Sequence, residues 1–253
     1  MSLRRVENPL ILCYHAVSPD WPADLSVTPE GLREQLSYLL RKGYRPTTFV
    51  QAVSGEAPTN AMAVTFDDAF ASVRERALPV LRELGILATV FVPTAYVDQS
   101  PPMVWPGIDR WVGGPHEGEL TCMSWNDLRA LLAEGWEIAS HTRTHPRLTE
   151  IDDETLRSEL VESREDCARE LGTPALTLAY PYGTYDERVK AATKEAGYVA
   201  AAALEMKRPD PLSWPRVGVY SKDDLQRFRL KVSPLVRHLR STTLMGRLRL
   251  QKS

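Results

Sequence analysis

Cysteine is scarce in this chain. Cys13, Cys122 and Cys167 stand far apart in 253 residues. An odd count without a Cys-x-x-Cys pair excludes a disulfide framework and a zinc knuckle. The three read as reduced core or surface thiols, in keeping with a cytoplasmic protein. Long apolar runs are missing too, and nothing approaches the roughly 20 residues of a membrane span. Arg4 and Arg5 precede an apolar run, Pro9 to Cys13. That run is too short for a signal h-region and lacks a small-residue cleavage site, so export by a standard signal is not expected. There are no internal repeats and no low-complexity tracts. No Gly-x-Gly-x-x-Gly turn follows the first strand, which argues against a dinucleotide-binding fold. Composition is otherwise ordinary for a globular protein, at 43% hydrophobic and 25% charged with a formal net charge of −2, and it excludes disordered and fibrous classes. The length suits one large domain.

What is present is an alternation of short apolar runs and amphipathic stretches. Candidate strands are Leu10–Tyr14, Ala61–Phe66, Ala88–Val92, Trp136–Ser140, Thr177–Tyr180, Val199–Leu204 and Arg216–Tyr220. Helices are expected between them: from Thr28 with Pro29 in the first turn and Gly43 as a stop, and from Phe70 to Gly85 with Pro79 dividing it. Others run from a Ser124 cap to Gly135, from Asp152 to Leu171 before Gly172, and from Tyr185 to Ala196 before Gly197. The pattern predicts an α/β fold with parallel strands, open or closed. Polar residues gather at the C-terminal ends of several strands: Tyr14-His15, Asp67-Asp68, His141 and Pro181-Tyr182. That rim is where a (β/α) barrel keeps its chemistry, so a barrel is favoured. Residues 97–121, rich in Pro, Gly and Trp, break the rhythm and read as a long lid or binding loop.

Two segments carry chemistry. Ala63-Val64-Thr65-Phe66-Asp67-Asp68 is an apolar strand ending in adjacent carboxylates, and Trp136 to Pro146 is a second strand ending in His141 and His145. Convergent His, His and Asp ligands with open positions make a catalytic metal pattern. A metal there lowers the pKa of water from about 15.7 towards about 7. The second carboxylate is then free to take a proton from that water. Either aspartate alone could cap the helix near Phe70, and histidines four apart could be surface turn residues. The doublet and the histidine segment together favour the metal.

The Thr-Phe-Asp-Asp and Ser-His-Thr-x-Thr-His segments resemble the first two motifs of the polysaccharide deacetylase family (the NodB-homology domain of carbohydrate esterase family 4). Leu12-Cys13-Tyr14-His15, Met123-Ser124-Trp125 and Tyr180-Pro181-Tyr182-Gly183 resemble its flanks, over residues 9 to 220. The resemblance implies a deformed (β/α)7-type barrel that hydrolyses the N-acetyl, sometimes O-acetyl, group of a sugar. It implies Asp67 as the base, Asp68, His141 and His145 as ligands of a divalent metal, and the Tyr182 backbone N–H as an oxyanion donor. Zn2+ is the favoured ion, with Co2+ or Ni2+ as substitutes. Pro181, Tyr182 and Trp105 are candidates for touching substrate.

Two departures stand out. Ala179 occupies the position where the family's third motif usually carries an arginine that tethers the base, and Arg216 is the candidate replacement. The late Leu-x-His motif that supplies the general acid is absent. His15 resembles its equivalent in a permuted branch whose Tyr-His strand comes first. Bland readings stand beside these: a structural histidine, a structural salt bridge at Arg216, and a loop anchor at Trp105.

The expected domains are a catalytic unit over residues 1–224 and a basic amphipathic tail over 225–253. Eight basic residues and no acidic one lie in that tail, which leaves −10 for residues 1–224 (−2 − 8). Peripheral association with an anionic membrane is one reading of it, and a solvated tail or a barrel-covering helix is another. Nucleic acid is excluded as a partner because the rest of the chain is acidic. The functional expectation is a cytoplasmic deacetylase of an oligosaccharide, polysaccharide or glycolipid intermediate. The alternatives are a carbohydrate-binding scaffold with little turnover and a hydrolase of a non-sugar amide.

Overall fold

The structure, a computed structural model, describes residues 9–99, 102–205 and 209–241. Arg4, Arg5 and the tail residues Leu244, Met245, Arg247, Leu248, Arg249, Leu250 and Lys252, on which the signal and membrane readings partly rest, lie outside them.

In chain order the strands are β1 (Leu10–Tyr14), β2 (Ala16–Val17), β3 (Ser26–Val27), β4 (Arg45–Thr47), β5 (Ala61–Phe66), β6 (Thr89–Val92), β7 (Glu137–Ser140), β8 (Thr177–Ala179), β9 (Ala200–Ala203), β10 (Trp214–Pro215) and β11 (Val217–Gly218). The helices are α1 (Pro29–Arg41), α2 (Phe49–Val53), α3 (Leu78–Glu83), α4 (Trp125–Ala133), α5 (Asp153–Leu171), α6 (Glu187–Glu195), α7 (Leu225–Val232) and α8 (Pro234–Ser241).

The main sheet runs β10-β9-β8-β7-β6-β5-β1-β11, with β4 paired to the start of β5, and every pairing is parallel. Its two ends are two halves of one segment. β10 pairs β9, β11 pairs β1, and Arg216 sits between them. The sheet therefore curls into a nearly closed, deformed (β/α) barrel. β1, β5, β6, β8 and β9 are buried along their whole length, which explains their continuous rather than alternating hydrophobicity. Each such Leu, Phe or Val contributes about 1.5–3 kcal/mol by leaving water.

Local signals set the helix ends. Thr28 caps α1 by accepting from Gly31 N–H, and Ser124 and Asp127 cap each other's backbone at α4. Gly172 closes α5 in the left-handed conformation at φ 74°. The stretch from Phe70 to Gly85 is not one α-helix: a π-helical turn, Val73–Ala77, precedes α3, and Pro79 stands at the junction. β4 and the small β2–β3 pair have no counterpart among the candidate strands. They are too short, and Pro46 disguises β4.

Met103, Trp105, Ile108 and Leu120 of the 97–121 loop are buried and join the main hydrophobic core. The segment after it is anchored to the turn that follows β5 through Phe70 and Cys122. α7 lies against the barrel through buried Phe228 and Val232. Among the described residues no helix is long and apolar enough to cross a membrane.

Candidate active site

The site lies at the C-terminal ends of the strands, where β1, β5, β7, β8 and the β10–β11 segment deliver its polar groups. β5 ends in the carboxylate pair. Consecutive strand residues ordinarily face opposite sides. Here Asp68 and Ala69 both adopt positive φ, 68° and 53°, and both aspartates end up buried in one pit. Such non-glycine conformations cost about 1–3 kcal/mol each, so the surroundings must hold them. Asp67 N–H donates to Tyr14, Met123 N–H donates to Ala69, and Ala71 N–H donates to Thr121.

Asp68 and the histidines form one cluster. Asp68 Oδ1 lies 3.4 Å from His141 Nε2 and 3.4 Å from His145 Nε2, and no hydrogen bond satisfies that buried oxygen. Ligands at about 2.1 Å from a tetrahedral ion lie about 3.4 Å apart. The three atoms thus have the spacing and chemistry of a divalent-metal site. His141 Nδ1 contacts the Ala179 carbonyl at 2.8 Å; because a carbonyl can only accept, Nδ1 carries the proton and Nε2 keeps its lone pair for the cluster. The electrostatics also ask for a cation. Burial opposes charge on His141, yet Asp67 and Asp68 outweigh it and raise its pKa. Burial pushes His145 down to about 3, so this ring stays neutral and available as a ligand.

Asp67 stands apart from that cluster. Arg216 Nη1 donates to Oδ1 at 2.6 Å, and Nη2 donates to Oδ2 at 2.8 Å. The arginine is 1% exposed, and its Nη1 also reaches Thr65 Oγ1 at 3.0 Å. Burial alone would raise the Asp67 pKa, but Arg216 and His141 hold it well below the usual carboxylate range. Oδ2 lies 4.0 Å from His141 Nε2 and 4.0 Å from His15 Nε2. Tyr220 stacks beside the His15 ring at 6.4 Å between centroids.

Tyr182 follows β8 in a left-handed conformation, φ 58°, with its ring edge-on to His145 at 4.8 Å. Its hydroxyl donates to the Pro106 carbonyl, and Arg147 lies over its outer face. Pro181 is buried behind it. Trp105 is only 7% exposed, and its ring stacks on His145 at 4.2 Å. Most of its face is therefore spent on a candidate metal ligand rather than left open to a sugar.

One residue beside Asp67 escaped sequence reasoning. The buried Cys13 thiol donates to Asp67 Oδ2 at 3.3 Å. Burial raises its pKa well above the ordinary thiol value, so it stays a neutral donor. Nothing in its spacing announces this. The only cue is its place on the strand that ends in His15.

The sequence model of the polysaccharide deacetylase family matches residues 54–201, more than half of the chain. This chain belongs to the polysaccharide deacetylase family. Among curated relatives, the peptidoglycan-N-acetylglucosamine deacetylase of Bacillus cereus is 28% identical over 186 residues, 72% of this chain and 73% of that one. The poly-beta-1,6-N-acetyl-D-glucosamine N-deacetylase of Staphylococcus aureus is 25% identical over 168 residues, 63% of this chain and 53% of that one. The chain thus spans about half to three quarters of these relatives' lengths. Two solved structures carry the same fold. The Streptococcus pyogenes deacetylase PplD, in complex with acetate, has a TM-score of 0.73 at 19% identity, over 89% of this chain and 98% of that one. The polysaccharide deacetylase BC0361 of Bacillus cereus has a TM-score of 0.70 at 24% identity, over 89% and 69%.

Proposed function

We propose that this member of the polysaccharide deacetylase family is a metal-dependent hydrolase that removes acetyl groups from N-acetylated amino sugars in a polysaccharide, oligosaccharide or glycolipid. The observation that carries the reading is the division between two adjacent carboxylates. Asp68 shares a buried cluster with two neutral-capable imidazoles, while Asp67 is held 4.0 Å from that cluster by a bidentate arginine. The names of the relatives support the substrate class.

A divalent ion held by Asp68, His141 and His145, with Zn2+ the best match to one carboxylate and two imidazoles, supplies Lewis acidity and acidifies water. Asp67 accepts the proton of the attacking water through Oδ2, the oxygen that faces the cluster. Arg216 and Cys13 keep that carboxylate in one orientation. The same ion pair lowers the basicity of Asp67, and a bound metal would offset this by acidifying the water. As the acetyl carbon becomes tetrahedral, its oxygen gathers charge, and the Tyr182 N–H is the proposed donor to it. The departing amine needs a proton. His15, whose Nε2 lies 4.0 Å from Asp67 Oδ2, is the proposed donor.

The test is acetate release from an N-acetylglucosamine oligomer before chelation, after chelation and after return of Zn2+. The expected result is release that stops on chelation and recovers with Zn2+. Release that ignores the chelator would remove the metal from the account, and no release from any amino sugar would remove the substrate class.

A further inference from the structure

The two histidines of the cluster are oriented by different means. His141 is fixed by the bond from its Nδ1 to the Ala179 carbonyl. The Nδ1 of His145 is buried and has no hydrogen-bond partner among the described residues. Ring packing against Trp105 and Tyr182 limits its tilt, but the position of the ring follows from its backbone. That backbone is unusual: Thr142 and His145 both have positive φ, 66° and 60°. Histidine adopts that conformation more readily than most residues, but β-branched threonine is an outlier there and needs support.

The support comes from one side chain on α5. Glu159 is 6% exposed, and among the described residues no cation lies within ion-pair distance of it. Its Oε2 accepts the consecutive backbone N–H groups of Arg143 and Thr144, each at 2.8 Å, and its Oε1 accepts the Thr144 hydroxyl. A carboxylate buried without a cation is costly, and three donors converging on it are what make it tolerable. One turn further along α5, Ser163 bonds Ser140, whose hydroxyl accepts Thr142 N–H. Thr142 Oγ1 in turn accepts His145 N–H at 3.2 Å. α5 therefore grips both ends of the turn that carries His145.

We infer that Glu159 is a positioning residue for the metal site: it holds residues 143–144 so that His145 Nε2 converges with His141 Nε2 and Asp68 Oδ1. It touches none of the three ligand atoms and acts through the backbone of residues 143–144 and the Thr144 hydroxyl. The inference rests on the metal reading above.

The test is the affinity of the metal-free protein for Zn2+, by competition with a chromophoric chelator, at a temperature where circular dichroism shows each variant folded. Glu159→Met keeps the length of the side chain and removes the acceptors. Its Zn2+ affinity is expected to fall about 10–100-fold, the range for loss of a group that orients a ligand. Glu159→Gln keeps a carbonyl for the two backbone donors, and the Thr144 hydroxyl can turn to accept from its amide, so it should stay within a few-fold of the parent. A purely structural role would lower the melting temperature and leave the affinity of the folded protein alone. Zn2+ binding by Glu159→Met within twofold of the parent overturns the inference while leaving the metal site intact. Absence of Zn2+ binding by the parent overturns the metal reading and this inference together. Should the methionine variant fail to fold, Thr144→Val, which removes the hydroxyl donor alone, must show a smaller loss in the same direction or the inference falls.

Discussion

Asp67 and Asp68 are neighbours in the chain with separate partners in space. Asp68 keeps a bare oxygen among two imidazoles, whereas both oxygens of Asp67 are engaged by Arg216. The doublet and both histidines were legible because a strand ending in polar residues is a local pattern. His15 was legible only by its place at the end of β1, and the structure sets it 4.0 Å from Asp67 Oδ2. Cys13 and Glu159 were not legible. Each acts through a partner 54 or 15–16 residues away, and neither has a spacing of its own to betray it. At this scale the proton-donor role proposed for His15 has a specific consequence. An amide leaving group needs a proton and a nitrophenolate does not. His15→Ala is expected to slow acetate release from an N-acetylated sugar by about 10²-fold or more while sparing hydrolysis of 4-nitrophenyl acetate. Equal loss on the two substrates, compared as kcat/KM, would contradict the acid role.

Among elements, the long buried strands and capped helices could be read directly, since continuous apolar runs and cap residues are local signals. β1 and β5 have the bounds their sequences suggest, and Thr28, Ser124 and Asp152 cap their helices. The last candidate strand was misdrawn. What reads as one run from Arg216 to Tyr220 is two pairs, Trp214–Pro215 and Val217–Gly218, split at Arg216. The split turns Arg216 inward, where its guanidinium meets Asp67 across the barrel and packs over the Phe91 ring. Pro215 and a buried arginine are poor strand signals, so tertiary pairing outweighs propensity here. The ion pair also sets a pH dependence. The Asp67 pKa is depressed in the folded state, so this pair adds stability above the unfolded carboxylate pKa and loses it only as pH falls below that range. In Arg216→Met the carboxylate stays buried without its cation, its folded pKa rises, and ionisation opposes folding. The stability gap between parent and variant should therefore widen as pH rises from about 4 to 7, towards about 3–5 kcal/mol. Urea midpoints across that range check it, and a gap that narrows with pH would contradict it.

For the whole molecule, barrel closure and the proposed catalytic site share one segment. The 214–218 stretch joins β9 to β1, and in the same place supplies the guanidinium that holds Asp67. A parallel barrel was legible from alternating elements, and its rim from the polar strand ends. The closure was not, because a two-residue pairing on each side of an arginine carries no periodicity. The same architecture explains how Ala179 can stand where an arginine is usual in this family. Arg216 reaches Asp67 from between β10 and β11, and Ala179, on β8, contributes its carbonyl to His141 instead.

The central claim is that Asp68 belongs to the metal and Asp67 to the proton. Zinc content and acetate release, measured together on one preparation of Asp67→Asn, test it most directly. One bound zinc is expected, as in the parent, with turnover lower by about 10²–10⁴-fold. Loss of the zinc, or turnover near that of the parent, would contradict it.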